Sequence, residues 1–179
     1  MRAHNLTKSH MLNALKRLDE IVPKTISLII GGGGAMVLAH RFPLSTHDID
    51  AFAKGMEFSE LDPFVKQVAQ ELGIALDWLN PWFATFAHTL PADYPQRLIP
   101  VFSGKRLRVL ALGATDLLIM KCFAHRQKDV PHAKALIRAG ADIQQARRHI
   151  ESLHDKRIPQ AEPALDFLDD VEDQVEDQI

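Results

Sequence analysis

The chain has a single cysteine, Cys122, which excludes an internal disulfide and a cysteine-rich zinc site. It has no excess of charge: the net charge is −2 over 179 residues, so no global basic footprint for nucleic acid is present. Local basic patches remain compatible with that balance. No apolar run reaches the roughly 18 residues needed to cross a membrane. Met1–His10 is polar and no apolar stretch of the signal-peptide kind follows, so a cytoplasmic protein with no membrane partner is expected. Nine histidines are present but none falls in an H-x-x-x-H pair with a glutamate between, so they form no metal motif. Internal repeats are absent as well. What remains is ordinary for a globular protein: 46% apolar and 25% charged residues. The length is sufficient for a sizeable core.

The most informative stretch is Leu28–Phe52. An apolar strand runs into four consecutive glycines, Gly31–Gly34, and an Asp-Ile-Asp triplet follows at Asp48–Asp50. Alternate residues of a strand share a face, so Asp48 and Asp50 are expected side by side with Ile49 turned into the core. Two adjacent carboxylates repel unless a cation lies between them or one takes up a proton. Magnesium is the hard cation that one or two carboxylates and substrate phosphates commonly bind, with manganese the alternative. Glycines at a helix N-terminus remove side chains where backbone N–H groups can meet a phosphate. The plainer reading is a tight turn that needs positive φ. Two familiar phosphate loops do not fit: Met36 and Val37 stand where G-x-G-x-x-G requires its third glycine, and no Gly-Lys pair completes a P-loop.

Helices are expected at Thr7–Glu20, Gly33–Phe42, Ser59–Leu72, Thr115–His125, Pro131–Ala139 and Asp142–Leu153. Ser59 with Asp62 is expected to cap the third, and Gly73 to end it. Strands are expected at Thr25–Ile30, Asp48–Ala53, Ile74–Leu79 and Trp82–His88, followed by a hairpin of Arg97–Phe102 and Leu107–Leu110. Strands alternate with helices in the first half and helices dominate the second, which predicts an α/β or α+β fold. One domain is expected over residues 1–160, with its core at about 26–139 and a helical portion at about 113–155. Residues 161–179 are expected to be an acidic tail that either frays or forms a short amphipathic helix through Leu165, Leu168 and Val171.

Gly33-Gly34, a spacer of 13 residues and Asp48-Ile49-Asp50 together resemble the signature of the DNA-polymerase-β-like nucleotidyltransferase superfamily. Gly33-Gly34-Ala35, His40, Thr46 and Asp48-Ile49-Asp50 resemble more closely small bacterial proteins of the AbiEii toxin type. Those relatives often carry an arginine where Leu44 stands, and Arg41 is the nearest basic residue here. The resemblance implies a short mixed sheet with helices packed on one side. It implies a magnesium-dependent transfer of a nucleotidyl group from a nucleoside triphosphate to a hydroxyl of RNA or protein. It also implies a toxin–antitoxin or phage-defence setting with an antitoxin partner.

Asp48, Asp50 and Asp77 are then the expected catalytic and metal-binding carboxylates, serving two ions roughly 4 Å apart. Asp77 lies in an apolar stretch where an unpaired carboxylate is costly, and Asp77-Trp78-Leu79-Asn80 is similar to a string that related proteins carry. An Asp on an exposed strand face is the plainer reading. Gly33, Gly34, Thr46, Lys121 and Asp129 are the expected nucleotide-binding residues. Lys121 interrupts the apolar run Leu117–Phe123; the plainer reading is a lysine that snorkels to water. Asp129 follows it in a Lys-Asp pair where AbiEii relatives have Arg-Asp, with Ala133 at a position often acidic; it also suits a helix cap before Pro131. Trp78 and Trp82 are read as core residues rather than base-stacking platforms. Arg97 and the cluster of Arg147, Arg148, Lys156 and Arg157 suit either an RNA backbone or a solvated face. The alternative to an enzyme is a catalytically inactive module on the same fold that binds nucleotide or a partner.

Overall fold

The computed structural model describes residues 5–42 and 45–177, so Pro43 and Leu44, the latter where AbiEii-type proteins often carry an arginine, lie outside the described residues. The chain forms two compact units. One holds Met1–Thr85 and Leu98–Leu112, the other Phe86–Arg97 and Gly113–Ile179.

The first unit opens with α1, Lys8–Ile21, which buries Met11, Ala14, Leu15 and Leu18. Thr7 caps it: its hydroxyl accepts from the His10 N–H, and the His10 ring accepts from the Thr7 N–H. The apolar run Ile26–Ile30 forms β1, which suits a strand covered on both faces. It is followed by α2 (Gly32–Ala39), β2 (Ile49–Lys54), α3 (Phe58–Leu72) and β3 (Leu79–Asn80), then by the hairpin of β4 (Ile99–Ser103) and β5 (Leu107–Ala111). The sheet order is β3-β2-β1-β5-β4. β1 pairs antiparallel with β2 and parallel with β5; β2 pairs parallel with β3, and β4 antiparallel with β5. This is the mixed sheet of a nucleotidyltransferase-like α+β fold.

Several boundaries differ from the sequence expectation. The cap of α3 is Glu57, boxed with Glu60, rather than Ser59. Gly73 ends α3 at φ +64°, as expected. The strand expected at Ile74–Leu79 is only Leu79–Asn80. Trp78 explains this. Its indole is buried, its Nε1–H donates to the Val65 carbonyl of α3 at 2.9 Å, and its backbone N–H closes a turn on Ala75 at 3.1 Å. The chain therefore turns through Leu76 and Asp77 and enters the sheet after Trp78. The strand expected at Trp82–His88 is replaced by short 3₁₀ turns, Trp82–Thr85 and Ala87–Thr89. The β4–β5 turn is held by Asp19, whose carboxylate accepts the N–H groups of Lys105, Arg106 and Leu107. Burial pushes the Asp19 carboxyl up, but those donors and Arg106 outweigh it and hold it below the usual range.

The second unit is helical: α4 (Ala114–Ala124), α5 (Val130–Arg138), α6 (Ile143–Asp155) and α7 (Ala161–Glu176). Asp116–Phe123 of α4 is buried throughout, under α5, α6 and α7. Arg97 does not present a free guanidinium, since it binds Asp116 at 2.8 and 2.9 Å and Asp93 at 2.8 and 2.9 Å. The acidic C-terminal segment is an ordered amphipathic helix: α7 buries Ala161, Ala164, Leu168 and Val171, with Leu165 half-buried. Among the described residues, no helix is long and apolar enough to cross a membrane.

Candidate active site

β1 delivers the chain to Gly31, whose N–H donates to the Asp50 carbonyl at 3.0 Å and whose carbonyl accepts from Ala35 at 3.1 Å to begin α2. The N-cap residue is Gly31, which has no side chain of its own to cap this end. The first N–H groups of a helix have no partner within it and carry partial positive charge. Here they belong to Gly32, Gly33 and Gly34.

Three consecutive glycines face Thr46, just ahead of β2, and Ile49 and Asp50 at its start. Gly32 has φ +57°, and a Cβ there would overlap the Asp50 Oδ2. A Cβ on Gly33 would lie 2.5 Å from the Thr46 Oγ1, and one on Gly34 would lie 3.1 Å from the Ile49 side chain. The glycines thus make room for the site's own carboxylate and hydroxyl. Leu6 fixes Thr46 from the other side, through backbone hydrogen bonds of 2.6 and 3.1 Å.

Ile49 is fully buried while Asp48 and Asp50 on either side are half-buried, the alternation the sequence predicts. Asp48 stands one residue ahead of β2, and its Oδ2 accepts from the Asn80 side-chain amide at 2.9 Å. Asn80 is buried, and in the parallel register it lies opposite Asp50. Its Oδ1 accepts the Trp82 N–H at 3.0 Å.

Asp77, by contrast, sits exposed in the turn before β3 and not on a strand. Among the described residues, no group of three or more His, Cys, Asp or Glu side chains is placed to hold a metal ion. The residue that the adjacent strand contributes beside Asp48 is Asn80, which sequence reasoning missed. The signal was the register: aligning Leu79-Asn80 with Ile49-Asp50 pairs apolar with apolar and polar with polar. Asp48 and Asp50 nevertheless suit a hard divalent cation. They are oxygen donors flanking buried Ile49, and Asp50 is seated in a cradle that any Cβ at Gly32 would fill.

Lys121 and Asp129 belong to the second unit and are paired there. Lys121 Nζ lies 2.5 Å from Asp129 Oδ1, and both side chains are buried. Arg126 Nε binds the other oxygen at 2.6 Å, and His132 lies at 3.6 Å. Asp129 occupies the N-cap position of α5, but its side chain makes no capping bond. Burial pushes its carboxyl up; His132, Arg126 and Lys121 outweigh that and hold it well below the usual carboxylate range. Of the two tryptophans, Trp78 is core as expected, whereas Trp82 is 66% exposed.

Residues 9–155 match the family model described as Nucleotidyltransferase of unknown function (DUF6036). The chain belongs to that nucleotidyltransferase family. The match begins in α1 and ends on the last residue of α6, so it takes in Gly31–Gly34, Asp48, Asp50, Asn80, Lys121 and Asp129 and leaves α7 outside. No curated protein and no solved structure matches the chain. In this member of the family, the glycine start of α2 and the Asp48–Asp50 pair are brought together where the end of β1 meets the start of β2.

Proposed function

We propose that the protein transfers a nucleotidyl group from a nucleoside triphosphate to a hydroxyl of RNA or protein, using magnesium or manganese. The observation that carries this reading is the seating of Asp48 and Asp50 on either side of buried Ile49, with Asp50 against the glycine start of α2. Asp48 and Asp50 would hold the cation together with phosphate oxygens. When bound, it supplies charge neutralisation on the phosphates. The Gly32–Gly34 N–H groups and the Thr46 hydroxyl face the same charge from the protein side. Asn80 orients Asp48 by its 2.9 Å hydrogen bond. In the transfer the acceptor oxygen forms a bond to the α-phosphorus, the bond to the bridging oxygen breaks, and pyrophosphate leaves. Asp77 enters as the acceptor of the hydroxyl proton. The likeness of the glycine–aspartate motif to AbiEii-type proteins supports a toxin–antitoxin or phage-defence setting, with an antitoxin partner.

The test is calorimetry and pyrophosphate release with the full chain, magnesium and each nucleoside triphosphate. Asp48→Asn with Asp50→Asn should weaken nucleotide binding at least tenfold and abolish transfer while the fold survives. Asp77→Asn should bind nucleotide as well as wild type and lose transfer. Equal binding by wild type and the double variant would overturn the assignment.

A second reading rests on Asn80. The neighbouring strand offers an amide, not a third carboxylate, beside Asp48. That favours a module that binds nucleotide without turning it over. Binding by wild type with no pyrophosphate release, in magnesium or manganese and with cell extract as acceptor, selects it.

A further inference from the structure

Large apolar side chains are costly to leave in water, and an exposed tryptophan is the more unusual for its size. Trp82 is 66% exposed, the highest value among the large apolar residues exposed in the described chain. Its backbone is nonetheless held firmly. Its N–H donates to Asn80 Oδ1, the Ala84 N–H closes the turn on Pro81, and the next residue, Phe83, is 1% exposed. Phe83 also meets Phe52 with ring centroids 6.5 Å apart. Phe52 lies two residues beyond Asp50 on β2, and so on the same face. The turn is therefore anchored to the strand that carries the carboxylates while its leading side chain is left in solvent.

The anchor runs directly to the site. Asn80 holds Asp48 with its amide nitrogen and Trp82 with its amide oxygen. One side chain thus fixes both the carboxylate and the start of the turn. A flat, exposed aromatic surface on a rigid backbone beside a phosphate-binding site has the properties of a base-stacking platform, because every base has a π-face to offer.

We propose that the Trp82 indole stacks on the nucleobase of the triphosphate held at Asp48 and Asp50. This rests on the nucleotidyltransferase reading and deepens it by assigning the positioning residue for the base. Stacking tolerates base identity, so all four nucleotides bind, with the larger purines held more tightly than pyrimidines.

The experiment compares wild type, Trp82→Phe and Trp82→Ala for binding of ATP, UTP and inorganic triphosphate in magnesium. Trp82→Ala should lose about tenfold or more in ATP affinity, the size of effect that base–aromatic stacking produces on truncation. Trp82→Phe should retain most of it. Inorganic triphosphate, which has no base, should bind all three alike. ATP should quench the fluorescence of wild type more than that of Trp82→Phe, since the second tryptophan, Trp78, is buried. Unchanged ATP affinity in Trp82→Ala overturns the platform while leaving the nucleotide site standing, and is the result expected of a protein-contact tryptophan. An equal loss of inorganic triphosphate overturns it too, since the effect would then not involve a base. Absence of all binding by wild type overturns the nucleotide site itself.

Discussion

At the scale of single residues, the site turns on Asn80. Its amide is a neutral donor to Asp48 in a position where a carboxylate would repel. Asn80→Asp replaces that donor with a second negative charge and leaves Asp48 without its buried hydrogen-bond partner. In EDTA at neutral pH the variant should lose about 1–3 kcal/mol of stability. Magnesium or manganese should then raise its melting temperature more than it raises that of wild type, because two touching carboxylates need a proton or a cation between them. Thermal unfolding with and without metal checks this; identical metal responses would show that residue 80 does not face the cation. The alternation of Asp48, Ile49 and Asp50 was legible because a period of two is a local property of a strand. The partner on the next strand was not. Asp77 looked like the strand carboxylate from its apolar neighbours, yet the buried Trp78 indole, held by the Val65 carbonyl, keeps residues 75–78 in a turn. That contact spans 13 residues and has no local signature. The glycines were legible as a close approach, but what approaches in the structure is Asp50 and Thr46.

At the scale of elements, helices were read more securely than strands. The expected start of α6 at Asp142 is its cap, with the side chain accepting from Gln145, and α1 begins after Thr7. Both signals are side-chain oxygens near a helix start. The Trp82–His88 segment is aromatic-rich like a strand but follows Pro81 and the Asn80–Trp82 hydrogen bond, which begin 3₁₀ turns instead. The α4–α5 connection is held by the Lys121–Asp129 ion pair, and its pH response has a definite sign. The folded Asp129 carboxyl titrates well below its ordinary 3.8. Its stabilising contribution is therefore complete above that ordinary value and is lost as the pH falls below it. Asp129→Asn should cost about 3–5 kcal/mol at neutral pH, because the Lys121 ammonium stays buried without its carboxylate. Urea unfolding of both proteins should show this gap narrowing below about pH 4, where the unfolded wild-type chain begins to take up a proton at Asp129 that the variant has no carboxylate to bind. A gap independent of pH would mean that Asp129 contributes shape and not charge.

At the scale of the whole molecule, charge is unevenly distributed. Glu162–Ile179 holds eight acidic and no basic residues, so the net charge of −2 becomes +6 without it. The composition of that segment suits a solvated tail, and its sparse apolar residues make the alternative of a helix easy to underrate. The spacing of Ala161, Ala164, Leu168 and Val171 nonetheless puts four side chains on one helical face, and all four are buried. The acidic face is used as well: Arg147 of α6 binds Asp169 and Glu172 of α7, each at 2.5 Å. These pairs are partly exposed and contribute little each. The apolar face contributes more. Burying Leu168 and Val171 alone is worth about 3–6 kcal/mol as an upper bound. A chain ending at Gln160 uncovers the residues of α4 and α6 beneath α7 and releases the Arg147 guanidinium. Its melting temperature should fall by about 5 °C or more, with increased binding of a hydrophobic dye. Raising the salt concentration should close little of that difference, since surface pairs are screened and apolar burial is not. A truncated chain that melts with the full-length protein, or a difference that vanishes in high salt, would assign the segment an electrostatic role instead of a place in the core.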